Sequence, residues 1–221
     1  MTFSQVGVTP DTVPLWGTAQ LLADWWSDPL DCADKRSLQA QATPACADER
    51  ADPGGALALA AAGRLGVDPQ RLISLAEAVD TPGLVEEHER LFVGPGRTPC
   101  PPYESMWDHD SPPERGVMMA TAAGAVLALY HRAGLAMRPR PGELPDHLVV
   151  ECEALTWCLG RNHEPTVAHA LLTQHLTRWV PRFCQAVRAE AKHPYYQALA
   201  DLTPAWLSAL TSQVEAQTAS R

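Results

Sequence analysis

Apolar residues recur along most of the chain at the three- and four-residue intervals of an amphipathic α-helix, whereas the alternation typical of a β-strand is almost absent. Near the N-terminus, Leu15, Ala19, Leu22 and Trp26 fall on one face of a helix. The periodicity predicts an all-α fold, a single globular bundle of roughly eight to eleven helices. Beyond the first helix, the predicted helices cover residues 56–65, 69–79, 114–136, 148–159, 165–191 and 194–217, with another beginning at 81–82.

Three of these helices carry more specific expectations. The segment 114–136 is apolar on nearly every side, which is typical of a helix in the middle of a bundle. Pro181 is expected to kink the helix that contains it, since an interior proline removes a hydrogen bond and clashes with the preceding turn. For the same reason the last helix is expected to break at Pro204.

Proline-rich and polar segments separate the helices. Residues 94–113 hold six prolines and two glycines in twenty positions, which excludes a regular helix or a central strand. An unstructured connection of this length is usually functional in a compact domain. Residues 31–54 are predicted to be a second connection, with one short helix near 37–42, and residues 137–145 a third.

Composition and charge exclude several classes of protein. The 221 residues include 17 Lys+Arg and 26 Asp+Glu, a net charge of −9, and 46% are apolar, as in a globular protein. An acidic surface argues against non-specific binding to nucleic acid or to an anionic membrane, and it suits a basic partner. Stable membrane insertion is not expected, because the longest apolar run is too short to span a bilayer. No secretory signal or membrane-spanning run is recognisable, so a soluble, cytoplasmic protein is expected. The six cysteines form no C-x-x-C pair and are expected to be reduced and to act as small apolar residues.

Catalytic motifs are weak. Asp108, His109 and Asp110 are three possible metal ligands in a row, and with His147 they define the alternative of a small helical metal-dependent enzyme. Adjacent residues rarely converge on one ion, however, and no H-E-x-x-H pair or G-x-S-x-G nucleophile motif occurs. A helical ligand-binding regulator would need a basic recognition helix, which the chain lacks. Three histidines spaced six residues apart are expected to be solvated or capping: His163, His169 and His175.

Two segments could bind a ligand, and each also has a structural interpretation. Tyr103 and Trp107 in the proline-rich loop, with Phe92 just before it, could form a preformed apolar groove or simply anchor the loop to the core. Asp146 could cap the following helix, with His147 and Glu151 pairing on its surface. Alternatively, Asp146 with Glu151 behind it offers negative charge to an arginine-bearing ligand.

Particular residues then resemble a known family. The segments ERLFVGP at 89–95 and CPPYESMW at 100–107 resemble the signature of the TorD/DmsD/NarJ family, in which Leu-Phe and Gly-Pro precede a Pro-Pro-aromatic loop. LPDHL at 144–148, together with Glu151, is similar to the family's Pro-Asp-His segment. His175-Leu176 with Trp179, Pro181 and Phe183 is similar to its His-Leu-x-x-Trp-x-Pro-x-Phe helix. The likeness spans residues 84–207 in the family's order.

The resemblance implies an all-helical, non-enzymatic chaperone of the cytoplasm with no resident cofactor or metal. Such proteins bind the twin-arginine signal peptide of a molybdenum-cofactor oxidoreductase, and often its apo catalytic subunit, and delay export until the cofactor is inserted. A NarJ-like mode, in which the signal is vestigial, stays open, as does the choice between a monomer and a helix-swapped homodimer. The implied partner-binding residues are Leu91, Phe92, Gly94, Pro95, Pro102, Tyr103, Ser105, Trp107, Asp146 and His147.

A twin-arginine peptide carries two guanidinium groups beside an apolar stretch, so it needs acid next to a hydrophobic groove. Asp146 and Glu151 are therefore expected to meet the guanidinium groups. The aromatic residues Phe92, Tyr103 and Trp107 are expected to supply the apolar wall. Gly94 and Pro95 are expected to shape the loop, and the net charge of −9 to steer a basic peptide toward the protein.

Overall fold

The structure, a computed structural model, describes residues 13–29, 55–94, 98–107, 121–137, 144–160 and 164–219. Regular structure within these ranges is helical, and the β pairing in them is one isolated antiparallel bridge between Tyr103 and His147. The predicted all-α class is therefore confirmed. None of the helices in these ranges is both long and apolar enough to cross a membrane.

The helices follow the predicted order closely. A π-helical segment, Glu89–Val93, prolongs the helix Leu84–His88, and another, Leu171–Leu176, joins the helices Pro165–Ala170 and Thr177–Glu190. A short 3-10 turn, Glu104–Met106, lies in the proline-rich loop. Within the described ranges the α-helices are α1 Leu15–Trp26, α2 Ala56–Leu65, α3 Pro69–Val79, α4 Leu84–His88, α5 Ala122–Arg132, α6 Leu148–Leu159, α7 Pro165–Ala170, α8 Thr177–Glu190 and α9 Pro194–Ala219.

The boundaries of α2 and α3 show why local sequence predicted them. Gly66 ends α2 in the left-handed conformation (φ 70°), which glycine adopts without steric cost. The carboxylate of Asp68 then accepts the N–H of Gln70 at 3.0 Å and caps α3, while Pro69 occupies the first helical position. Each signal acts within a few residues of the chain.

The core forms where α1 packs along α6 and where α9 packs against α3 and α8. The predicted face of α1 is buried, and its Trp25 meets Trp206 of α9 edge to face, with ring centroids 5.1 Å apart. The indole N–H of Trp206 donates to the carbonyl of Thr18 at 2.9 Å. Large aromatic side chains therefore fix the first and last helices against each other.

Pro204 does not break the last helix, so that prediction is wrong. α9 continues through it from Pro194 to Ala219. Beside the proline, the Thr203 hydroxyl donates to the carbonyl of Leu199 at 2.8 Å and accepts the indole N–H of Trp26 at 3.0 Å. Burial of this part of α9 offsets the roughly 3 kcal/mol that a proline costs inside a helix.

The helix expected in the middle of the bundle lies at its edge instead. In α5 one face is buried, through Ala123, Val126, Leu129 and Tyr130, while Gly124 and Ala128 on the other side are exposed. The expectation failed because alanine, which counts as apolar, is a strong helix former that is also tolerated on a surface. Residues 114–120 of the predicted helix lie outside the described ranges, as does the short helix predicted near 37–42.

The four cysteines in the described part of the chain are buried free thiols. Burial raises the pKa of Cys100 and of Cys158 to about 11, and it raises the pKa of Cys184 and Cys152 as well. These side chains therefore pack as small apolar groups, as expected. Cys32 and Cys46 lie outside the described ranges.

Candidate functional site

The π-helical segment Glu89–Val93 turns two motif residues into the core. Leu91 is fully buried, and Phe92 is 9% exposed, with its ring centroid 5.2 Å from that of Tyr196 and 6.1 Å from that of Phe183. Phe92 therefore anchors an aromatic cluster and does not form the outer wall that the sequence suggested. The N–H of Gly94 closes the segment on the carbonyl of Glu89 at 2.7 Å.

Gly94 is required by this close turn. A Cβ at this position would lie 3.2 Å from the carbonyl oxygen of Glu89, closer than most side chains tolerate. The role expected for Gly94, shaping the loop, is compatible with this geometry. Pro95, which follows it, lies outside the described ranges.

Glu87 fixes the start of this segment to the connection between α8 and α9. Its carboxylate accepts Nε of Arg90 at 2.7 Å and Nη2 at 2.9 Å, and it also accepts the backbone N–H groups of Lys192 and His193. The hydrogen bonds from Arg90 and from these two N–H groups outweigh burial and lower the pKa of Glu87 to about 2. The carboxylate is therefore ionised at neutral pH.

Backbone hydrogen bonds hold the proline-rich loop between the π-helical segment and α6. The N–H of Cys100 donates to the carbonyl of Leu91 at 3.1 Å. Next to α6, the N–H of Leu148 donates to the carbonyl of Pro102 at 3.0 Å. The N–H of Glu104 donates to the carbonyl of Asp146 at 2.9 Å. The structure thus brings together the two motif segments that are about forty residues apart in sequence.

Asp146 binds the loop instead of capping α6. Its side chain is fully buried, and Oδ2 accepts the N–H of Ser105 at 3.1 Å, while Oδ1 has no hydrogen bond in the described part of the chain. The capping residue of α6 is His147, whose Nδ1 accepts the N–H of Val149 at 3.3 Å. The capping interpretation of Asp146 is therefore wrong.

His147 is held neutral by its surroundings. Burial lowers its pKa to about 4, although the nearby charge of Asp146 acts in the opposite direction. A neutral ring agrees with an Nδ1 that accepts a hydrogen bond. The ring of Tyr103 lies edge to face on His147, with centroids 5.0 Å apart, so both residues belong to the seam between loop and helix.

Glu104 and His175 were missed as a pair by the sequence reasoning. Oε2 of Glu104 lies 2.7 Å from Nδ1 of His175, and both side chains are buried. The expectation that His175 is solvated or capping is therefore wrong. Its position at the head of the His-Leu-x-x-Trp motif was the available signal, because that motif follows the buried face of the helical segment.

Glu151 is the most isolated group of this cluster. It is fully buried, and neither carboxylate oxygen has a hydrogen-bond partner in the described residues. Burial raises the pKa of Glu151 well above its usual value and the charge of Glu104 adds to the shift, while the indole of Trp179 opposes it without a hydrogen bond of good geometry. The suggested surface pairing of Glu151 with His147 is wrong, because the carboxyl of Glu151 is fully buried.

Two large apolar side chains of the site are exposed, and the guanidinium of Arg182 borders them by donating to the carbonyl of Trp107 at 3.3 Å. Val93 is 63% exposed and Met106 is 44% exposed, although neither was singled out as a site residue. Tyr103 and Trp107 are half-buried. The ring centroid of Trp107 lies 5.9 Å from that of Phe183, and its indole N–H donates to the carbonyl of Pro101 at 2.7 Å. We call Val93, Tyr103, Met106 and Trp107 the loop patch. Two exposed carboxylates lie on neighbouring elements: Glu89 begins the π-helical segment that ends at Val93, and Glu190 acts electrostatically on Cys100 and Arg90.

The predicted site residues thus divide by accessibility. Tyr103, Ser105, Trp107 and His147 are half-buried, and Gly94 is also partly exposed. The residues predicted for the site but buried are Leu91, Phe92, Pro102, Asp146 and Glu151.

The residues of the metal-enzyme alternative are mostly outside the described ranges. This holds for Asp108, His109 and Asp110, so their arrangement stays a prediction. Among the residues that the structure does describe, no group of three or more His, Cys, Asp or Glu side chains could hold a metal ion, and His147 belongs to no such group.

Comparison with known proteins gives a consistent result. Residues 61–185 match the family model of the nitrate reductase delta subunit. The Tat proofreading chaperone DmsD of Salmonella typhi is 31% identical over 134 residues, which cover 59% of this chain and 62% of that protein. The chain therefore matches less than two thirds of the length of this relative.

Two further relatives match shorter segments. The chlorate reductase assembly chaperone protein of Ideonella dechloratans is 33% identical over 96 residues, which cover 38% of this chain and 49% of that protein. The selenate reductase assembly chaperone protein of Thauera selenatis is 39% identical over 84 residues, which cover 32% and 44% respectively. Since the family model covers more than half of the chain, the chain belongs to the nitrate reductase delta subunit family, the TorD/DmsD/NarJ family that its motifs resemble.

Proposed function

We propose that this protein is a cytoplasmic, non-enzymatic chaperone that binds the twin-arginine signal peptide of a molybdenum-cofactor oxidoreductase before the enzyme is exported. Relatives that bear the names of a Tat proofreading chaperone and of reductase assembly chaperones support this class of function. The structural observation that carries the proposal is the loop patch, an exposed apolar surface on a loop that is anchored from beneath.

The anchoring supports peptide binding because it removes the cost of ordering the loop. Two side chains hold the 3-10 turn Glu104–Met106 from beneath. Oδ2 of Asp146 accepts the N–H of Ser105, and Nδ1 of His175 lies within hydrogen-bond distance of Oε2 of Glu104. The exposed side chain of Met106 lies at the end of that turn and the exposed side chain of Val93 at the end of the π-helical segment. A surface held in this way binds an apolar peptide with less loss of conformational entropy than a mobile loop would.

The charged contacts of this proposal differ from the sequence-based expectation. Asp146 and Glu151 are fully buried, so in this arrangement neither carboxylate reaches a ligand on the surface. We therefore assign Asp146 a positioning role, through its hydrogen bond to the N–H of Ser105. We assign contact with the guanidinium groups to the exposed carboxylates of Glu89, in the π-helical segment that ends at Val93, and of Glu190, near Cys100, and the net charge of −9 favours approach of a basic peptide.

The test is calorimetric titration with a synthetic twin-arginine signal peptide from a molybdoenzyme encoded beside this protein. The peptide is expected to bind in the micromolar range or more tightly, and its Lys-Lys variant more weakly, since arginine pairs bidentately with carboxylates. Met106→Ser and Val93→Ser are expected to weaken binding about tenfold, the effect of losing about 1.4 kcal/mol of apolar contact.

Ile73→Ser is the matched control, because Ile73 is also an exposed aliphatic residue (38%) but lies on α3, outside the loop patch. Equal affinity of wild type and both loop-patch variants would reject the loop patch as the binding surface. If neither peptide binds, co-purification with the apo catalytic subunit tests the NarJ-like mode, and failure of that experiment too would reject the chaperone function.

A further inference from the structure

A pocket lies at the end of α6 that is remote from the candidate site. α6 begins beside Asp146 and ends at Leu159, and its 12 residues span about 18 Å. The pocket has a volume of about 270 Å³ and forms where the start of α1, the ends of α2 and α6, the start of α7 and the last turns of α9 meet. Its lining is mostly apolar and includes Leu15, Trp16, Leu159, Pro165 and Val214.

Arg64 is the exception in this lining. It is the single charged side chain among the described residues that line the pocket. Its Nε is inaccessible to solvent and has no hydrogen-bond partner in the described part of the chain. Arg64 as a whole is nevertheless partly exposed, and a guanidinium group beside apolar walls attracts an anion. In a chain of net charge −9, this arginine distinguishes the pocket from the acidic surface.

An exposed tryptophan extends the apolar surface at the pocket. Trp16, which lines the pocket, is 38% exposed. The side chain of Trp16 packs against Gly160. A Cβ at Gly160 would lie 3.3 Å from Cγ of Trp16, so the absence of a side chain there allows this close approach. Tryptophan and arginine are the residue types most enriched where protein interfaces concentrate their binding energy.

We propose that this pocket binds a segment of a partner protein that inserts one large apolar side chain and pairs a neighbouring carboxylate with Arg64. The volume suits a single large side chain, whereas pockets for drug-sized ligands are usually larger. Trp16 lines the pocket and is still 38% exposed, so apolar surface remains outside the pocket for the rest of a polypeptide. The carboxylate follows from charge complementarity with Arg64.

This site differs from the loop patch in the partner that it selects. The loop patch is proposed to take a basic peptide, whereas the Arg64 pocket takes an acidic and apolar segment. The two lie at opposite ends of α6, so both can be occupied at once. The inference does not depend on the proposed function, because binding at the Arg64 pocket is measured with its own probes.

The test uses phage-displayed random octapeptides selected on the full chain, with the affinity of each enriched peptide then measured by fluorescence polarisation. The expected peptides carry Asp or Glu beside Leu, Phe or Trp. Arg64→Gln is expected to raise their Kd at least about tenfold, and Arg64→Lys less, because lysine keeps the charge without the planar fork. Gln217→Trp, which places a large side chain at an exposed position of the pocket, is expected to abolish binding.

Two control variants accompany these measurements. Arg132→Gln removes an exposed arginine of α5 outside the pocket, and Met106→Ser alters the loop patch; neither is expected to change the Kd. The proposal is overturned if no enriched peptide binds more weakly to both Arg64→Gln and Gln217→Trp. It is also overturned if the peptides whose Kd rises in both variants carry no carboxylate. Titration with decanoate tests whether a small apolar acid occupies the pocket instead of a peptide. Micromolar binding of decanoate that is lost in Arg64→Gln, without any enriched peptide that depends on Arg64, would overturn the proposal in favour of a small acid.

Discussion

Nδ1 of His175 lies 2.7 Å from Oε2 of Glu104, with both side chains buried beneath the proline-rich loop. The two residues are 71 positions apart, and their contact ties the 3-10 turn of the loop to the π-helical segment ahead of α8. The loop that carries Tyr103, Met106 and Trp107 thus rests on a polar contact inside the core.

Replacing one member of this pair is expected to destabilise the protein. Glu104→Ala leaves His175 buried without its partner, and the free energy of unfolding is expected to fall by about 3 kcal/mol. Urea denaturation measures the loss, and Glu86→Ala, at an exposed carboxylate of α4, is the control. An unchanged free energy of unfolding would show that the buried contact contributes little to stability.

Two substitutions of Asp146 separate positioning from direct charge pairing. Asp146→Asn keeps an oxygen that can accept the N–H of Ser105, so binding of the twin-arginine peptide is expected to change less than threefold. Asp146→Ala removes the acceptor, and about a tenfold loss of affinity with faster hydrogen exchange at the Ser105 amide is expected. If Asp146 met a guanidinium group directly, the asparagine variant would lose as much affinity as the alanine variant.

The buried carboxyl of Glu151 is expected to make stability depend on pH. Its pKa in the folded protein lies well above the value of 4.5 for a free side chain, so the folded state holds the proton more tightly than the unfolded state does. The contribution to stability is therefore fully present below pH 4.5 and is lost as the pH rises toward the folded pKa.

Glu151→Gln removes this titration, and the variant is expected to gain stability relative to wild type as the pH rises above 4.5. The measurement is the difference in the free energy of unfolding between the two proteins from pH 4 to pH 8. A constant difference over this range would contradict the raised pKa. Taking the difference cancels the contributions of His147 and of other titrating groups that both proteins share.

Glu87 is expected to show the opposite pH dependence. Its pKa is lowered to about 2 in the folded protein, so its contribution to stability is present above pH 4.5 and is lost as the pH falls toward 2. Glu87→Gln is expected to cost about 2 kcal/mol at pH 7 and much less near pH 2. Chemical denaturation at the two pH values measures this, and a loss of equal size at both would refute the ionic role.

Phe92 is expected to contribute to stability more than to peptide contact. Phe92→Leu leaves a gap among Trp26, Tyr196 and Phe183, and the free energy of unfolding is expected to fall by about 1–2 kcal/mol. At a temperature where the variant is fully folded, its affinity for the twin-arginine peptide is expected to stay within about twofold of wild type, a difference worth about 0.4 kcal/mol. A large loss of affinity without a loss of stability would return Phe92 to the binding surface.

The sequence by itself determined the helical class and most helix boundaries. The ranges 56–65 and 69–79 were predicted as they occur, and the apolar stripe from Leu148 to Leu159 lies on the helix found there, because the signals that set these helices act locally. The 3.6-residue periodicity marks a buried face, and a cap such as Asp68 acts over two residues. The motifs of the proline-rich loop and of Asp146-His147 also identified the family and the two segments that meet at the candidate site.

Only the tertiary structure decided which of those residues reach the surface. A polar side chain such as that of Asp146 or His175 is usually solvated, and its burial here depends on partners 41 and 71 positions away that no local pattern reveals. The same holds for Pro204, which packing keeps inside a continuous helix. Periodicity determines which face of a helix is apolar, whereas the accessibility of a single side chain is set by long-range contacts that form only when the helices pack together.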